Sequence, residues 1–522
     1  MVHCFSINGV NIALDVNSGA IHVLDDLAYK IVESISKNVE NAQNNENLED
    51  LAKLSEKSQK SKKSKKSQKW DLSDLAKISD IKTDEQTLQK IQQEIAILQQ
   101  KGQLFSPEPD KKLAIANVRA KNQQQVVKAL CLHIAHDCNL RCEYCFAGDG
   151  DYGAISKSVM SAEVAKKAID FLLVNSGNRR NLEIDFFGGE PTLNFETVKT
   201  AVEYAKSKEN QHNKKFRFTL TTNGILLDSD KISYINANMD NVVLSLDGRQ
   251  EVNDKMRKTA NAKGSYEMVV PKFLELVAAR GDKNYYVRGT YTAENLDFTN
   301  DVNHIHSLGF TQISVEPVIG PFSAEYSLKE DDLPILLEQY EKLAVQMAEN
   351  FNSEKLGNLK NDKNNAKQKG FNFFHFGLNL NKPPCAAKRI TGCGAGSEYL
   401  AVTPEGDLYP CHQFVGDADF LLGNVNVGFF ETGELVEKGE IVELVEKGEN
   451  KEKSRKIDQF SECNIYNKQE CDACWAKYFC GGGCMANAFH LNGNIMQPDK
   501  IGCELQRKRT ECAIYLAAAG VS

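Results

Sequence analysis

Three cysteines, Cys138, Cys142 and Cys145, lie close together directly after the apolar run 129–135. Thiolates at this spacing suit a metal centre. Iron–sulfur clusters usually have four cysteine ligands, so three on a four-iron cluster leave one iron open to a substrate or cofactor, as catalytic zinc sites keep one open position. The alternative is a structural zinc loop in which His133 or His136 supplies the fourth ligand.

Length and composition bound the class of protein. A chain of 522 residues is long enough for more than one domain, since domains typically have ~100–200 residues. No apolar stretch reaches the roughly 20 residues that a membrane helix needs, and the first residues lack the pattern of a signal peptide. We therefore expect a cytoplasmic protein without a membrane partner. In that reducing compartment the 15 cysteines are better explained as metal ligands than as disulfides, and the formal net charge of −8 does not favour nucleic acid as a partner.

The N-terminal part of the chain predicts a small sheet followed by helices. Asn8-Gly9 lies between two short apolar runs and predicts a β-hairpin. A third strand is predicted over 20–24 and a helix over 27–35, and residues 71–104 have helical periodicity. Together these elements predict a compact binding module rather than an enzyme core.

Three segments of polar or repeated sequence interrupt the predicted domains. Residues 37–70 are rich in Asn, Ser and Lys and are predicted to be a disordered insertion, because they cannot bury enough apolar surface; a basic patch for RNA is the alternative. Residues 107–125 are predicted to be a polar linker. A nine-residue duplication, 434–440 and 443–449, predicts a surface insertion over 430–456 rather than a solenoid.

Six predicted strands alternate with amphipathic helical segments in the middle of the chain. This alternation predicts a parallel sheet with right-handed crossovers, and six units rather than eight predict a partial barrel. As in complete barrels, functional side chains are expected at the C-terminal ends of the strands. The strands are predicted over 130–135, 182–187, 216–222, 242–247, 284–291 and 312–317.

A glycine pair follows the second of these strands, in the sequence Gly188-Gly189-Glu190-Pro191. Paired glycines allow a ligand to approach the backbone closely, and Glu190 offers a carboxylate to an ammonium group. An ordinary strand-to-helix turn is the alternative explanation for the glycines.

Polar side chains also end the later strands. Thr222 ends the third strand, Ser245 and Asp247 end the fourth, and Arg257 is a candidate partner for a ligand carboxylate. Glu316, at the end of the sixth strand, is a further candidate. The alternatives are that Asp-Gly is a common turn and that Arg257 lies on the surface.

The Cys-x3-Cys-x2-Cys motif, with an aromatic residue before its last cysteine, resembles that of radical SAM enzymes. The resemblance implies that the three catalytic thiolates bind a [4Fe-4S] cluster, whose open iron binds S-adenosylmethionine. Reduction of this sulfonium would give a 5′-deoxyadenosyl radical that abstracts a substrate hydrogen. In that family the glycine-rich motif contacts the amino group of the cofactor. The cofactor-binding residues that the resemblance implies are Tyr144, Gly188, Gly189, Glu190, Thr222, Ser245, Asp247 and Arg257.

A second set of cysteines lies near the C-terminus. Their spacing, with Gly406 five residues before Cys411, resembles the SPASM extension of radical SAM enzymes, which carries two auxiliary four-iron clusters and would bring the total to three [4Fe-4S] clusters; a double zinc ribbon is the alternative. The resemblance implies that the first auxiliary cluster binds Cys393, Cys411 and Cys484, with Cys385, Cys463 or a substrate thiol as fourth ligand. It implies that the second binds Cys471, Cys474, Cys480 and Cys503. The residues predicted to be buried and apolar are Cys4, Cys131 and Cys512.

The predicted fold class is therefore α/β, with three domains. A small α+β, winged-helix-like peptide-recognition domain is expected over 1–118. A partial (β/α)6 radical SAM barrel is expected over 126–355. A Cys-rich SPASM domain is expected over 380–522.

The N-terminal module resembles the element that binds leader peptides of ribosomally made, modified peptides, where a leader adds as a strand to a sheet edge. Segments 5–19 and 392–400 resemble those of the SCIFF peptide maturases. That resemblance implies a maturase that forms an intramolecular Cys thioether in a small Cys-rich precursor peptide, with a flavodoxin- or ferredoxin-like one-electron donor as partner. The alternatives are a sulfatase-type maturase that makes formylglycine, another SPASM peptide-modifying enzyme, and a zinc-bound scaffold that only binds peptides.

Overall fold

A computed structural model gives the structure of most of the chain. The described residues are 1–44, 84–123, 126–153, 157–320, 323–357, 370–378, 386–429, 434–437, 440–443, 459–460 and 462–521.

The predicted N-terminal hairpin and third strand are confirmed. Strands β1 (Val2–Ile7), β2 (Val10–Asp15) and β3 (Ile21–Leu24) form an antiparallel sheet in the order β1-β2-β3. Asn8 and Gly9 have φ values of 48° and 75°. Two left-handed central residues match the twist of the hairpin, which is why Asn-Gly is favoured there.

Alternate residues of this hairpin are buried on the two faces of the sheet. Phe5 and Ile12 pack into the core shared with the barrel. Ala13, on the opposite face, packs against helices α1 (Asp26–Asn44) and α2 (Glu85–Gln100). The small sheet is therefore held between its own helices and the rest of the protein.

The first helix is longer than the sequence pattern predicted. It was expected to end near Ile35 but continues to Asn44, because Val39 extends the buried stripe of Ile35 by one helical turn. Residues 37–44 of the predicted disordered insertion are therefore helical. The rest of that insertion, 45–70, lies outside the described residues.

The prediction of a polar linker over 107–125 is wrong. Residues Lys111–Gln123 form helix α3, and its Val118 is buried against Ile390 and Ile465 of the C-terminal region. Only a short apolar stripe makes these contacts. Its periodicity is too weak to predict a helix from the sequence.

The six predicted barrel strands are confirmed, each within two residues of its predicted bounds. They are β4 (Ala129–His136), β7 (Asn181–Gly188), β8 (Lys215–Thr222), β9 (Asn241–Ser245), β11 (Asn284–Tyr291) and β12 (Gln312–Pro317). Neighbouring strands pair in parallel, in the spatial order β12-β11-β9-β8-β7-β4.

The Cys-rich C-terminal region continues the same sheet, which the sequence did not predict. Strand β14 (Tyr399–Val402) pairs in parallel with β4, so the region is joined to the barrel by backbone hydrogen bonds. The sheet remains open, because the described β4 and β12 do not pair with each other. The other strands are β5 (Leu140–Cys142), β6 (Ser158–Val159), β10 (Arg257–Thr259), β13 (Asn372–Phe373), β15 (Asp407–Tyr409), β16 (Gly423–Asn424) and β17 (Gly428–Phe429).

Helices cover the outside of the sheet, and a long C-terminal helix ties the regions together. This helix, α15 (Lys500–Ala518), packs against α10 (Leu333–Gly357). No helix among the described residues is long and apolar enough to cross a membrane. The remaining helices are α4 (Ala162–Asn175), α5 (Phe195–His212), α6 (Ser229–Asn238), α7 (Gln250–Met256), α8 (Tyr266–Arg280), α9 (Phe298–Ser307), α11 (Ala386–Thr391), α12 (Gln469–Asp472), α13 (Lys477–Cys480) and α14 (Met485–Asn492).

The insertion predicted over 430–456 contains a short antiparallel hairpin of β18 (Glu434–Glu437) and β19 (Glu440–Glu443). The rest of the duplicated sequence lies outside the described residues. The burial predicted for Cys131 and Cys512 is confirmed, whereas Cys4 is half-buried.

Candidate active site

The three clustered cysteines lie on the loop that leaves the C-terminal end of β4. Within this loop, β5 pairs antiparallel with β10, and Cys142 stands opposite Arg257. This pairing fixes the cysteine loop against the segment that follows β9. It also brings a positive charge beside the thiols.

The environment of these thiols suits metal binding. All three are half-buried and free of disulfides. Burial raises the pKa of Cys138 to about 11 and that of Cys142 to about 12. Without a cation the thiols are therefore neutral, and their thiolates become stable only when bound to a positive centre.

A four-iron cluster and a single zinc ion make different demands on the three thiols. Among the described residues, no three His, Cys, Asp or Glu side chains converge on a single-ion site. A zinc ion would bind all its thiolates at one centre, with Zn–S distances of about 2.3 Å. Each cysteine of a cubane instead binds a different iron. The rings of His133 and His136, the candidate fourth zinc ligands, instead contact each other at 3.0 Å between Nδ1 and Nε2.

The glycine pair after β7 has a packing role that the sequence interpretation did not include. A Cβ on Gly188 would lie 2.4 Å from the Ala135 carbonyl oxygen, and one on Gly189 would lie 2.1 Å from that of Asp137. The glycines therefore allow the loop after β7 to pack directly on the loop that carries Cys138. Both also line the cavity described below.

Glu190 is buried and accepts hydrogen bonds from three neighbours. Its Oε1 accepts from the Thr222 hydroxyl at 2.8 Å and from the Thr192 amide and hydroxyl, while Oε2 accepts from the Asn223 amide at 2.7 Å. Burial raises the pKa of Glu190, and these bonds oppose that shift. Oε2 keeps one lone pair for a ligand donor.

Asp247 lies behind the cavity wall rather than on it. Its side chain is fully buried, and its Oδ1 lies 3.0 Å from Arg257 Nε. The Tyr144 hydroxyl donates to both of its oxygens, at 2.7 and 2.8 Å, and the Thr290 amide donates at 2.9 Å. Asp247 thus positions Tyr144 and Arg257, whereas the Ser245 hydroxyl lines the cavity and makes no hydrogen bond within the described part of the chain.

One cavity of about 180 Å³ joins these residues. Its lining includes the cysteine loop together with His412 and Gln413, which follow Cys411. The sequence interpretation missed Arg288 and His412. Arg288 could have been found from the period-two pattern of β11, which places it on the face opposite the buried Val287 and Gly289. The predicted residues on the wall are Cys138, Cys142, Tyr144, Cys145, Gly188, Gly189, Glu190, Thr222, Ser245, Arg257 and Glu316.

The C-terminal cysteines form two separate groups. In the first group, burial raises the pKa of the Cys411 thiol, and the neighbouring Cys484 and Cys393 raise it further. Cys463 is buried near this group, and its thiol donates to the Ile495 carbonyl at 3.3 Å. Cys385 lies outside the described residues.

The second group surrounds a cavity of its own, of about 370 Å³. Burial and the neighbouring thiols raise the pKa of Cys503 to about 12. Helix α15 carries this cysteine and also Arg507, whose Nη1 lies 4.0 Å from Cys474 Sγ. The lining cysteines are Cys471, Cys474, Cys480 and Cys503.

Residues 132–289, which contain the cysteine loop and most of the cavity wall, match the radical SAM superfamily. The chain carries a radical SAM domain. The fold agrees: the protein superposes on the native anSMEcpe with bound AdoMet with a TM-score of 0.57 and 21% identity, covering 76% of this chain and 99% of that one.

Curated relatives match parts of this chain. The cysteine-type anaerobic sulfatase-maturating enzyme of Clostridium novyi is 30% identical over 142 residues, which is 26% of this chain and 36% of that protein. The radical SAM cyclopropyl synthase TigE of Paramaledivibacter caminithermalis is 22% identical over 408 residues, covering 73% of this chain and 72% of TigE. The match to the first relative thus spans only about a third of its length.

Proposed function

We propose that this chain is a radical SAM maturase that forms an intramolecular Cys thioether in a small, ribosomally made, Cys-rich peptide. The observation that carries this proposal is the shared cavity. Its wall runs from the three thiols of the cysteine loop to His412, directly after Cys411 of the first C-terminal group. A peptide in that cavity would touch both the radical SAM site and the first auxiliary site.

Three [4Fe-4S] clusters and S-adenosylmethionine are the cofactors of this proposal. Cys138, Cys142 and Cys145 would hold the first cluster. The two C-terminal cysteine groups fit the auxiliary clusters, since each brings several cysteines together around a thiol whose pKa burial raises, Cys411 in the first group and Cys503 in the second. When bound, these groups supply a hydrogen-abstracting deoxyadenosyl radical and an acceptor for one surplus electron.

The residues of the chain bind the cofactor and exclude water. Arg257, held by Asp247, and the unpartnered hydroxyl of Ser245 would bind the carboxylate of S-adenosylmethionine. The remaining lone pair of Glu190 would accept from its ammonium group. Phe146 and Tyr152 form an aromatic side of the cavity that keeps water from a reactive radical.

The thioether step removes two hydrogens from the peptide. One leaves a carbon as a hydrogen atom, the thiol loses a proton, a C–S bond forms, and one surplus electron remains, for which a cluster held by Cys393, Cys411 and Cys484 would supply the acceptor. The N-terminal sheet would bind the leader of the precursor, because β1 and β3 are both edge strands among the described residues.

The test is mass spectrometry of the matching precursor peptide after anaerobic turnover with a flavodoxin- or ferredoxin-like donor. We expect the loss of two hydrogens with all sulfur retained. The Cys138→Ala variant should leave the mass of the peptide unchanged. The Cys512→Ala variant, which alters a buried cysteine away from the cavity, should still remove two hydrogens from it. An unchanged mass with the matching peptide would contradict the proposal.

A sulfatase-type maturase is the second candidate, because of the 30% identity to the Clostridium novyi enzyme. Formylglycine formation from Cys removes sulfur, so the same mass spectrum distinguishes the two. Removal of the leader from the precursor peptide is a second discriminator. It should abolish processing by a leader-dependent thioether enzyme and spare formylglycine formation.

A further inference from the structure

Arg288 differs from the other charged side chains that line the cavity. Asp149, Glu190, Arg257 and Glu316 each make a hydrogen bond or an ion pair with another residue. Arg288 makes neither within the described part of the chain, and its side chain is exposed to the cavity. A guanidinium with all its donors free is therefore aimed into the reaction space.

Arg288 lies one strand beyond the residues expected to bind S-adenosylmethionine. Arg257 stands opposite Cys142 of the cysteine loop, and Ser245 ends β9. Arg288 lies on the next strand, β11, where its register partners are Ser245 of β9 on one side and Ser314 of β12 on the other. Arg288 thus extends the cavity wall from the expected cofactor site towards Glu316, so a peptide that lies beside the cofactor would meet it.

The nearest carboxylate does not need Arg288 as a partner. Glu316 accepts from His375 Nε2 at 2.7 Å and from the Ser314 hydroxyl at 2.7 Å. His375 Nδ1 lies 3.1 Å from the Tyr340 hydroxyl, which accepts from Arg509 at 2.7 and 2.9 Å. Because this buried chain already stabilises the charge of Glu316, the fork of Arg288 remains available to a ligand.

We propose that Arg288 binds a carboxylate of the peptide substrate and so gives the enzyme a preference for peptides with an acidic group close to the modified cysteine. The planar guanidinium fork matches a carboxylate bidentately. The carboxylate can belong to an acidic side chain or to the C-terminus of the peptide. This inference rests on the proposed peptide-modifying function.

The test is anaerobic calorimetry on the holoenzyme loaded with S-adenosylmethionine. The probes are acetyl-Ala-Cys-Ala-Glu-Ala-amide, the same peptide with Gln in place of Glu, and acetyl-Ala-Cys-Ala with a free C-terminal carboxylate. We expect the Glu peptide, the free acid, or both to bind about tenfold more tightly than the Gln peptide, and the pattern identifies the source of the carboxylate. Equal affinity of the unchanged protein for the three peptides would overturn the proposal. The absence of measurable binding of any of them would overturn it as well.

Variants assign the preference to this residue. Arg288→Gln should bind all three peptides alike, and Arg288→Lys should keep part of the preference because it retains the charge without the fork. Arg217→Gln, at an exposed strand arginine outside the cavity, should keep all of it. A folding defect in Arg288→Gln would weaken the binding of every peptide by the same factor and leave the affinity ratios unchanged. Unchanged affinity ratios in this variant therefore contradict the assignment. A carboxylate preference without any mass change in the precursor would refute the proposed function alone.

Discussion

The Tyr144 hydroxyl donates to both carboxylate oxygens of Asp247, at 2.7 and 2.8 Å. Tyr144 precedes the last cysteine of the loop, whereas Asp247 follows β9, so this contact joins the cysteine loop to the far side of the sheet. Arg257 completes the group, with its guanidinium carbon 5.5 Å from the centre of the Tyr144 ring. A buried carboxylate therefore organises two residues of the cavity wall without reaching the cavity itself.

Asp247→Asn should weaken S-adenosylmethionine binding at least about tenfold, because it removes the charge that holds Arg257 in place. Anaerobic equilibrium dialysis measures this affinity. The matched control is Asp297→Asn, which breaks a pair with Arg249 outside the cavity and should leave the affinity unchanged. Unchanged affinity in Asp247→Asn would show that Arg257 does not depend on this carboxylate.

Iron analysis tests the assignment of the cysteine groups. We expect about twelve irons per chain, four for each cluster. Cys138→Ala should lose cleavage of S-adenosylmethionine, whereas Cys474→Ala should lose about four irons from the second C-terminal group and retain the first cluster. Cys512→Ala, at a buried cysteine in the apolar core, should change neither measurement. Cleavage that persists in Cys138→Ala would refute the role of the loop.

Asp185, on β7, should make the stability depend on pH. Burial, with a contribution from Glu183, raises the pKa of Asp185 from 3.8 to about 6. Ionisation of Asp185 is therefore less favourable in the folded state than in the unfolded state. The loss of stability that it causes is small below pH 3.8, grows between pH 3.8 and 6, and reaches its full size above pH 6. Asp185→Asn should raise the free energy of unfolding by about 2–3 kcal/mol at pH 8, as measured by urea titration.

At pH 3.5, where Asp185 is mostly protonated in both states, the same variant should have nearly the stability of the unchanged protein. Asp170→Asn, at an exposed acid on α4, is the control at both pH values. An equal effect of Asp185→Asn at both pH values would contradict this explanation.

The ring of His3 stacks on that of Trp475, with centroids 3.7 Å apart and planes 6° from parallel, and its Nε2 lies 2.9 Å from Glu511 Oε1. Trp475 follows Cys474, so this contact joins the N-terminal sheet to the second C-terminal cysteine group. His3→Ala should shift the Trp475 emission to longer wavelength and lower the free energy of unfolding by about 1 kcal/mol.

The fluorescence is measured in a Trp70→Phe background, which leaves Trp475 as the single tryptophan. His22→Ala is the control, since His22 lies in the same sheet and contacts the Gln103 carbonyl instead. An unchanged emission in His3→Ala would mean that the two rings do not stack in solution.

Local patterns predicted much of this fold. The Asn8-Gly9 turn was readable because few residues tolerate a positive φ there, and the barrel strands were readable because they are short apolar runs between amphipathic helices. Helix α3 was not readable, since Val118, the one buried residue among its described side chains, packs against residues far away in the chain. The pairing of β14 with β4 was missed for the same reason, because register is set between distant segments.

The sequence by itself determined which chemistry this protein can support, because cysteine spacing within a loop is a local property. The grouping of Cys411 with Cys393 and Cys484, the position of Asp247 behind the wall and the free guanidinium of Arg288 came only from the tertiary structure. Each depends on which distant segments the fold brings into contact. Burial, charge pairing and the supply of hydrogen-bond partners are properties of those contacts and not of the residues alone.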